Sequence, residues 1–317
     1  MVALGCTEVS RQNINMKKSF YTIILAALLI ASCNNPTPAK QSPTDTPRNG
    51  TIRISVDESF KPVIEQQIKV YESSFPDAHI IASYKAEVDC FKDLQKDSTR
   101  MIIVARGLTS NERAYYDGEL SFKPQFAELA YDAVAVIVNA KASDSVFSMK
   151  HLQDIVSGNV KTIAVMDGKN ATSTVRFIQD SVLRGKSFGK NVVAVNGSEA
   201  VIEAVSKNEQ AIGFVGLSWV GNNNDPRQVE KLKQIKLALI ECVKCDEKGV
   251  FAKPSQSTIT FAQYPLARPL FYIVKENVTG LGTGFVTFMG QERGQLIFRR
   301  ATLAPAKINF RVRKSNI

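Results

Sequence analysis

From Thr51 onward, short β-branched runs alternate with amphipathic stretches, and this alternation limits the fold more than any other feature of the 317-residue chain. It predicts strand Ile52 to Val56, helix Pro62 to Ser73, strand His79 to Ser83, helix Asp89 to Lys96 and strand Met101 to Ala105. Strand Ala133 to Val138 and helix Met149 to Val156, stopped by Gly158, come next. A second set then follows: strand Ile163 to Met166, strand Asn191 to Val195, helix Ser198 to Lys207 and strand Ala211 to Val215. The chain closes with an apolar run Leu270 to Val274, a helix near Gly284 to Ile297 and a β-like Ile308 to Val312. Strands separated by helices imply a parallel α/β sheet covered on both faces. Ligands of such a sheet gather beyond the carboxyl ends of the strands, where loops enter helices.

The N-terminus predicts export. Lys17 and Lys18 precede an apolar run, Phe20 to Ala31, that ends in Ile30-Ala31-Ser32-Cys33, and Met16 stands just before the lysines as the expected start. The run falls short of the ~20 residues a membrane span needs, so residues 1–32 read as a signal peptide. Its end resembles the lipobox of bacterial lipoproteins, which implies lipid on Cys33. Residues 33–50 carry Pro36, Pro38, Pro43 and Pro47 among polar residues, as a tether would. No acid-rich sorting signal follows Cys33, which favours a periplasm-facing anchor in the cell envelope.

The charge balance of +10 suits an anionic ligand or surface. The basic residues are scattered along an exported chain, which argues against nucleic acid. Cys242 and Cys245 form a C-x-x-C that reads as a local disulfide or as free thiols; Cys90, His79 and His151 are not spaced to complete a zinc site with them. The chain has no G-x-S-x-G elbow and no Walker loop, and neither histidine stands near a nucleophile in sequence, so no catalytic residue, metal or cofactor is expected.

Three hydroxyl residues open the helix after Ile163 to Met166. Thr172, Ser173 and Thr174 stand where a helix has spare N–H donors and the positive end of its dipole, with Asn170 before them and Arg176 one turn on. One hydroxyl would serve as an ordinary N-cap; a run of three also suits an anion. Three loops of the first set have related chemistry: Asp57-Glu58-Ser59-Phe60, Tyr84-Lys85-Ala86-Glu87 and Arg106-Gly107-Leu108-Thr109.

Four segments together carry a family resemblance. Asn170 to Phe177 (NATSTVRF), Gly213 to Trp219 (GFVGLSW), Tyr264 to Val274 (YPLARPLFYIV) and Gly294 to Ala306 (GQLIFRRATLAPA) resemble, in order, the PstS-like phosphate-binding proteins of ABC transporters. The resemblance covers about Ile52 to the C-terminus. It implies an α/β, two-lobed type II periplasmic binding protein fold with two hinge strands, crossing near Leu129 to Ala133 and Tyr264 to Leu270. Lobe 1 would comprise 51–130 plus 265–317, and lobe 2 would comprise 131–264.

Carried over by position, the phosphate ligands would be Ser59, the Phe60 amide, Glu87, Arg106, Thr172, Ser173 and Thr174, with Lys85, Asn170 and Arg176 as further candidates. Two positions depart from the family pattern. Arg106 stands near the third strand end, where the family often has an acid, and Asp167-Gly168-Lys169 stands where it often has an arginine. The acceptor of the phosphate proton would be Glu87, Asp57 or Glu58; Glu87 comes first because it opens a helix, where it reads equally as an acid favouring the helix dipole. Arg176 either faces the ligand or pairs on the helix surface. The implied protein is a non-enzymatic, monomeric lipoprotein that hands phosphate to an ABC permease. The alternatives are a sensor or scaffold lipoprotein of the same fold with altered or lost oxyanion specificity, and an envelope phosphatase.

Overall fold

The computed structural model describes residues 45–118, 123–168, 172–276 and 278–307. The signal peptide, Cys33, the tether up to residue 44, Asn170 and the run expected at 308–312 lie outside the described residues.

Each strand of the first set hands over to a helix as its periodicity predicts. β1 (Gly50–Asp57) leads through a 3-10 turn (Glu58–Phe60) into α1 (Lys61–Ser74), and β2 (Ala78–Lys85) leads into α2 (Glu87–Leu94). β3 (Thr99–Val104) is followed by α3 (Ser110–Gly118). Ile52, Ile54 and Val56 alternate along β1 and are buried. Pro62 sits in the first turn of α1, where a helix has no use for its missing N–H. β1 lies between β2 and β3 and runs parallel to both.

The centre of the sheet departs from the all-parallel expectation. β4 (Gln125–Asn139) is 15 residues long and begins well before Ala133. Its first half pairs antiparallel with β12 (Ala267–Val274), and its second half pairs antiparallel with β8 (Ala211–Gly216). One strand thus serves both ends of the sheet. The early residues of β4 are half exposed and mixed in polarity, so they carry no apolar run to read.

Beyond β8 the sheet is parallel again, through β6 (Ile163–Met166) to β7 (Val192–Ala194). Its helices are α4 (Met149–Ser157), α5 (Ser173–Ser181) and α6 (Ser198–Ser206). Ser148 caps α4 and Gly158 ends it in the left-handed conformation, φ 83°. A second 3-10 turn (Leu217–Trp219) and α7 (Pro226–Leu232) follow β8, and β9 (Ile235–Leu237) pairs with the far end of β4. β5 (Val146–Phe147), β10 (Leu239–Glu241) and β11 (Phe251–Ala252) make a small separate sheet. A disulfide joins Cys242 to Cys245 beside it. After α8 (Gln256–Thr260) and β12, the helix expected at Gly284 to Ile297 is two: α9 (Leu281–Gly290) and α10 (Glu292–Arg300). Gln291 is extended, ψ 173°, and breaks the run just after Gly290. β13 (Ala304–Pro305) pairs with β4.

An apolar core sits on either side of the β4–β12 crossing, and a smaller third cluster gathers Leu94, Ile102, Val104 and Ile273. One of the two flanking cores gathers Ile54, Phe60, Ile64, Ile103, Leu270 and Phe285. The other gathers Val136, Ile155, Val165, Ile178, Val205 and Phe214. The two lobes therefore meet along β4 and β12, and the strand-to-helix loops of both open toward that seam. The first described residues fasten to the first lobe: Asp45 accepts from the Leu281 amide at 3.0 Å and faces Arg100, while Glu276 accepts from the Gly282 and Thr283 amides at 2.8 and 2.7 Å. Two carboxylates thus satisfy the start of α9.

Candidate functional site

The loop after β1 reaches the start of α5 across the seam. Ser59 Oγ lies 3.3 Å from Ser173 Oγ and 3.4 Å from Thr174 Oγ1. All three residues are buried, at 1 %, 0 % and 0 % exposure. Thr172 does separate work, accepting from the Val175 amide at 3.2 Å as the N-cap and donating to Asp167 Oδ1 at 2.7 Å. The hydroxyl run therefore divides into one cap and two hydroxyls that face the opposite lobe.

A guanidinium completes the cluster, and it comes from neither loop. Arg268 on β12 donates through Nη1 to Ser173 Oγ at 3.0 Å and through Nε to Asp132 Oδ2 at 3.0 Å. Its Nη2 also lies 3.0 Å from Asp132 Oδ2, but it is not aligned for a hydrogen bond and stays an unpartnered buried donor. Arg268 and Asp132 face each other in the β12–β4 register, both fully buried, with the Phe60 ring 5.1 Å from the guanidinium. Gly216 leaves the space: a Cβ there would stand 2.6 Å from Ser59 O and 3.3 Å from Arg268 Nη2.

Carboxylates outnumber this cation. Asp57 accepts from the Ser59 amide through Oδ1 at 2.9 Å, and Asp167 accepts from Thr172. Asp57 Oδ2 and Asp167 Oδ2 are buried without a well-aligned donor among the described residues, although Ser173 and Thr174 lie close enough to stabilise the two charges. Burial, then the Glu87 charge, pushes Asp57 up to about 6. Burial likewise raises Asp167 and Asp132 above the usual carboxylate range. The site thus offers an unpartnered guanidinium N–H, hydroxyls, and carboxylate oxygens that hold or accept a proton.

The other expected residues are placed differently. Glu87 accepts from the Ala105 amide at 3.0 Å and from Arg176 Nε at 2.6 Å and Nη2 at 3.1 Å. Glu87 and Arg176 come together as an ion pair between lobes, which occupies both carboxylate oxygens. Arg106 turns away from the cluster: it makes two 2.8 Å bonds to Glu112 and lies 3.8 Å over the Phe91 ring. This fork draws Glu112 down to about 2. Lys85 pairs with Asp93, which also accepts from Ser55 and Lys96. Arg106 and Lys85 are therefore not brought to the hydroxyls, because each has a nearer acid.

Sequence reasoning missed Arg268 and Asp132, and it preferred Glu87 to Asp57 as the proton acceptor. A signal was present: Arg268 stands at the same strand parity as the buried Leu270, and Asp132 interrupts the apolar run of β4. Opposite charges inside two apolar strand runs point to a buried pair.

Known proteins give the wider context. The chain is 24 % identical to a protein named phosphate-binding protein PstS from Staphylococcus saprophyticus, over 84 % of this chain and 82 % of the relative. Its fold matches the crystal structure of a putative phosphate ABC transporter substrate-binding protein with bound phosphate from Clostridium perfringens. That match has a TM-score of 0.67 at 21 % identity and covers 81 % of this chain and 100 % of the other. An ABC-type phosphate transport receptor from Vibrio cholerae matches with a TM-score of 0.59 at 18 % identity, over 81 % and 100 % of the two chains. The fold is the two-lobed α/β fold of type II periplasmic binding proteins. The PBP superfamily domain is matched across residues 41–293, and the chain belongs to that superfamily.

Proposed function

We propose that the chain is a solute-binding protein that captures inorganic phosphate between its lobes and presents it to an ABC permease. The observation that carries this reading is the meeting of Arg268, Ser59, Ser173 and Thr174 with two buried carboxylate oxygens that have no well-aligned donor, Asp57 Oδ2 and Asp167 Oδ2. Hydroxyls and a guanidinium suit an oxyanion. These under-satisfied carboxylate oxygens suit one that still carries protons, because a buried acceptor short of a donor is costly. Phosphate has such protons at neutral pH, whereas sulfate has none and would face the carboxylates with bare oxygens. The relatives named for phosphate point the same way.

In this reading, lobe 1 is 51–130 plus 265–317 and lobe 2 is 131–264, in keeping with the two apolar cores. Ser59, Ser173, Thr174 and Arg268 hold oxygens, Asp57 and Asp167 accept protons, and Phe60 packs its ring against Arg268. The Phe60 amide and Asn170 remain candidate ligands of the same anion. Thr172 shapes the helix start, and Glu87 with Arg176 holds the lobes together. Among the described residues the cluster's hydroxyls face carboxylates and one another and no histidine joins them, which supports binding without turnover. The protein would act as a monomer held in the envelope by lipid on Cys33, facing the periplasm.

Calorimetry with phosphate and sulfate is the test. Phosphate should bind at least about a hundredfold more tightly, since unpaired buried polar groups reject the wrong ligand by several kcal/mol. Equal affinity would remove the specificity argument, and turnover of a chromogenic phosphate ester would favour the phosphatase reading.

A further inference from the structure

We propose that Glu58 is a positioning residue for lobe closure: its carboxylate crosses the cleft and caps α6 of the opposite lobe, seating the Ser59 turn over the ligand. The inference rests on the reading of the chain as a closing oxyanion binder, and it goes beyond the ligand contacts themselves.

The turn Glu58–Phe60 is gripped by lobe 2 at several points. Glu58 Oε2 accepts from Ser198 Oγ at 2.8 Å, and its two oxygens accept from the Ser198 amide at 3.2 and 3.3 Å. The residue before α6 is Gly197, which offers no side chain to cap its own helix. Glu58 therefore supplies the missing cap, through oxygens that accept from the Ser198 amide and hydroxyl. The main chain of the same turn is held as well: Trp219 Nε1 donates to Glu58 O at 3.1 Å, and Ser218 Oγ donates to Ser59 O at 2.7 Å.

Lobe 2 is shaped for this visitor. A Cβ on Gly197, where φ is +85°, would stand 3.1 Å from Glu58 Oε1, and one on Gly216 would stand 2.6 Å from Ser59 O. Two glycines thus clear the seats of two consecutive lobe 1 residues. When the lobes part, α6 loses its cap and Glu58 returns to water.

The latch is also sensitive to protons. Asp167 just after β6 and Asp57 at the end of β1 add to the rise of Glu58, while Glu199 on α6 is paired with Lys231. Burial is the largest cause, and Glu58 is pushed up to about 7, against partial stabilisation by Ser198. In the open form it returns toward the ordinary value of about 4.3. Closure therefore takes up a proton between these values, and the closed population falls as pH rises through the upper one.

The test uses the full chain with Lys69→Cys and Lys190→Cys, exposed positions on opposite lobes, carrying spin labels. Their separation is measured without ligand and with inorganic phosphate, in the parent and in the Glu58→Ala, Glu58→Gln and Ser198→Ala variants. Without ligand, Glu58→Ala should shift the distances outward and should redden emission from Trp219, the only tryptophan in the chain. Phosphate affinity should fall about tenfold, the scale of a lost buried hydrogen bond. Ser198→Ala should move in the same direction by less. Glu58→Gln should lessen the pH dependence of the ligand-free distances and leave the part that Asp57 supplies, an effect that a merely structural role would not produce. If Glu58→Ala does not fold, the Glu58→Gln and Ser198→Ala chains decide alone. Unchanged distances and pH profile in the folded variants overturn the latch. A parent that gives no heat with phosphate overturns the function instead, while the ligand-free distances still decide the latch.

Discussion

Arg268 is the residue on which the site turns. Its guanidinium is fully buried, leans on Asp132 and reaches Ser173 at the opposite lobe's helix start. Removing one partner of such a pair leaves the other charge stranded, so Arg268→Ala should cost about 3–5 kcal/mol in chemical denaturation. It should also weaken phosphate binding by about 2–5 kcal/mol in calorimetry performed well below the melting temperature. Lost stability with unchanged affinity would make the arginine purely structural. Arg106→Ala is the contrasting case: its fork to Glu112 lies outside the cluster, so affinity should hold and stability should drop by no more than about 1 kcal/mol. At this scale the sequence revealed types better than partners. The hydroxyl run at Thr172 to Thr174 was readable because helix starts have a known chemistry. The choice of arginine was not, because Arg106 and Arg268 both stand in plausible loops or strands, and only the fold shows that Glu112 claims the first.

The helices and strands hold these side chains by ordinary means. Thr172→Ala removes the cap of α5 and the donor to Asp167, and should cost about 1 kcal/mol, read from the denaturation midpoint. A shift larger than that would show that Asp167 depends on Thr172 for more than one bond. Gly213 on β8 faces α6 so closely that a Cβ would stand 2.7 Å from Val201 and Val205 side-chain carbons. Gly213→Val should therefore cost about 1–3 kcal/mol by overpacking. Most elements could be read from periodicity, Ile163–Met166 to the residue. The length of β4 could not, since a strand that is half exposed at one end and buried at the other has no single pattern along its 15 residues. That strand and β12 carry the Asp132–Arg268 pair, so the part of the fold hardest to read is also the part that holds the charge.

Across the whole molecule, closure gathers acids. Asp57 is raised to about 6 and Glu58 to about 7, so each contributes stability that is present below its ordinary value near 4 and lost as pH rises through the raised one. The ligand-free melting temperature should therefore fall between about pH 5 and pH 7. Asp93 and Glu112 are shifted downward, so their losses come only at lower pH and leave this window clear. A melting temperature that rises across the window would contradict the buried placement of Asp57 and Glu58. The lobes also meet through Glu87 and Arg176, through Glu58 and Ser198, and through the hydroxyl cluster, so an anion held in this seam would be held from both sides. Among the described residues no helix is long and apolar enough to cross a membrane. The central claim is that this closing seam is selective for a protonated oxyanion. Calorimetric titration of the full chain with inorganic phosphate and with sulfate tests it most directly: the account predicts tight binding of phosphate that sulfate does not displace, and equal binding of the two, or none of phosphate, would contradict it.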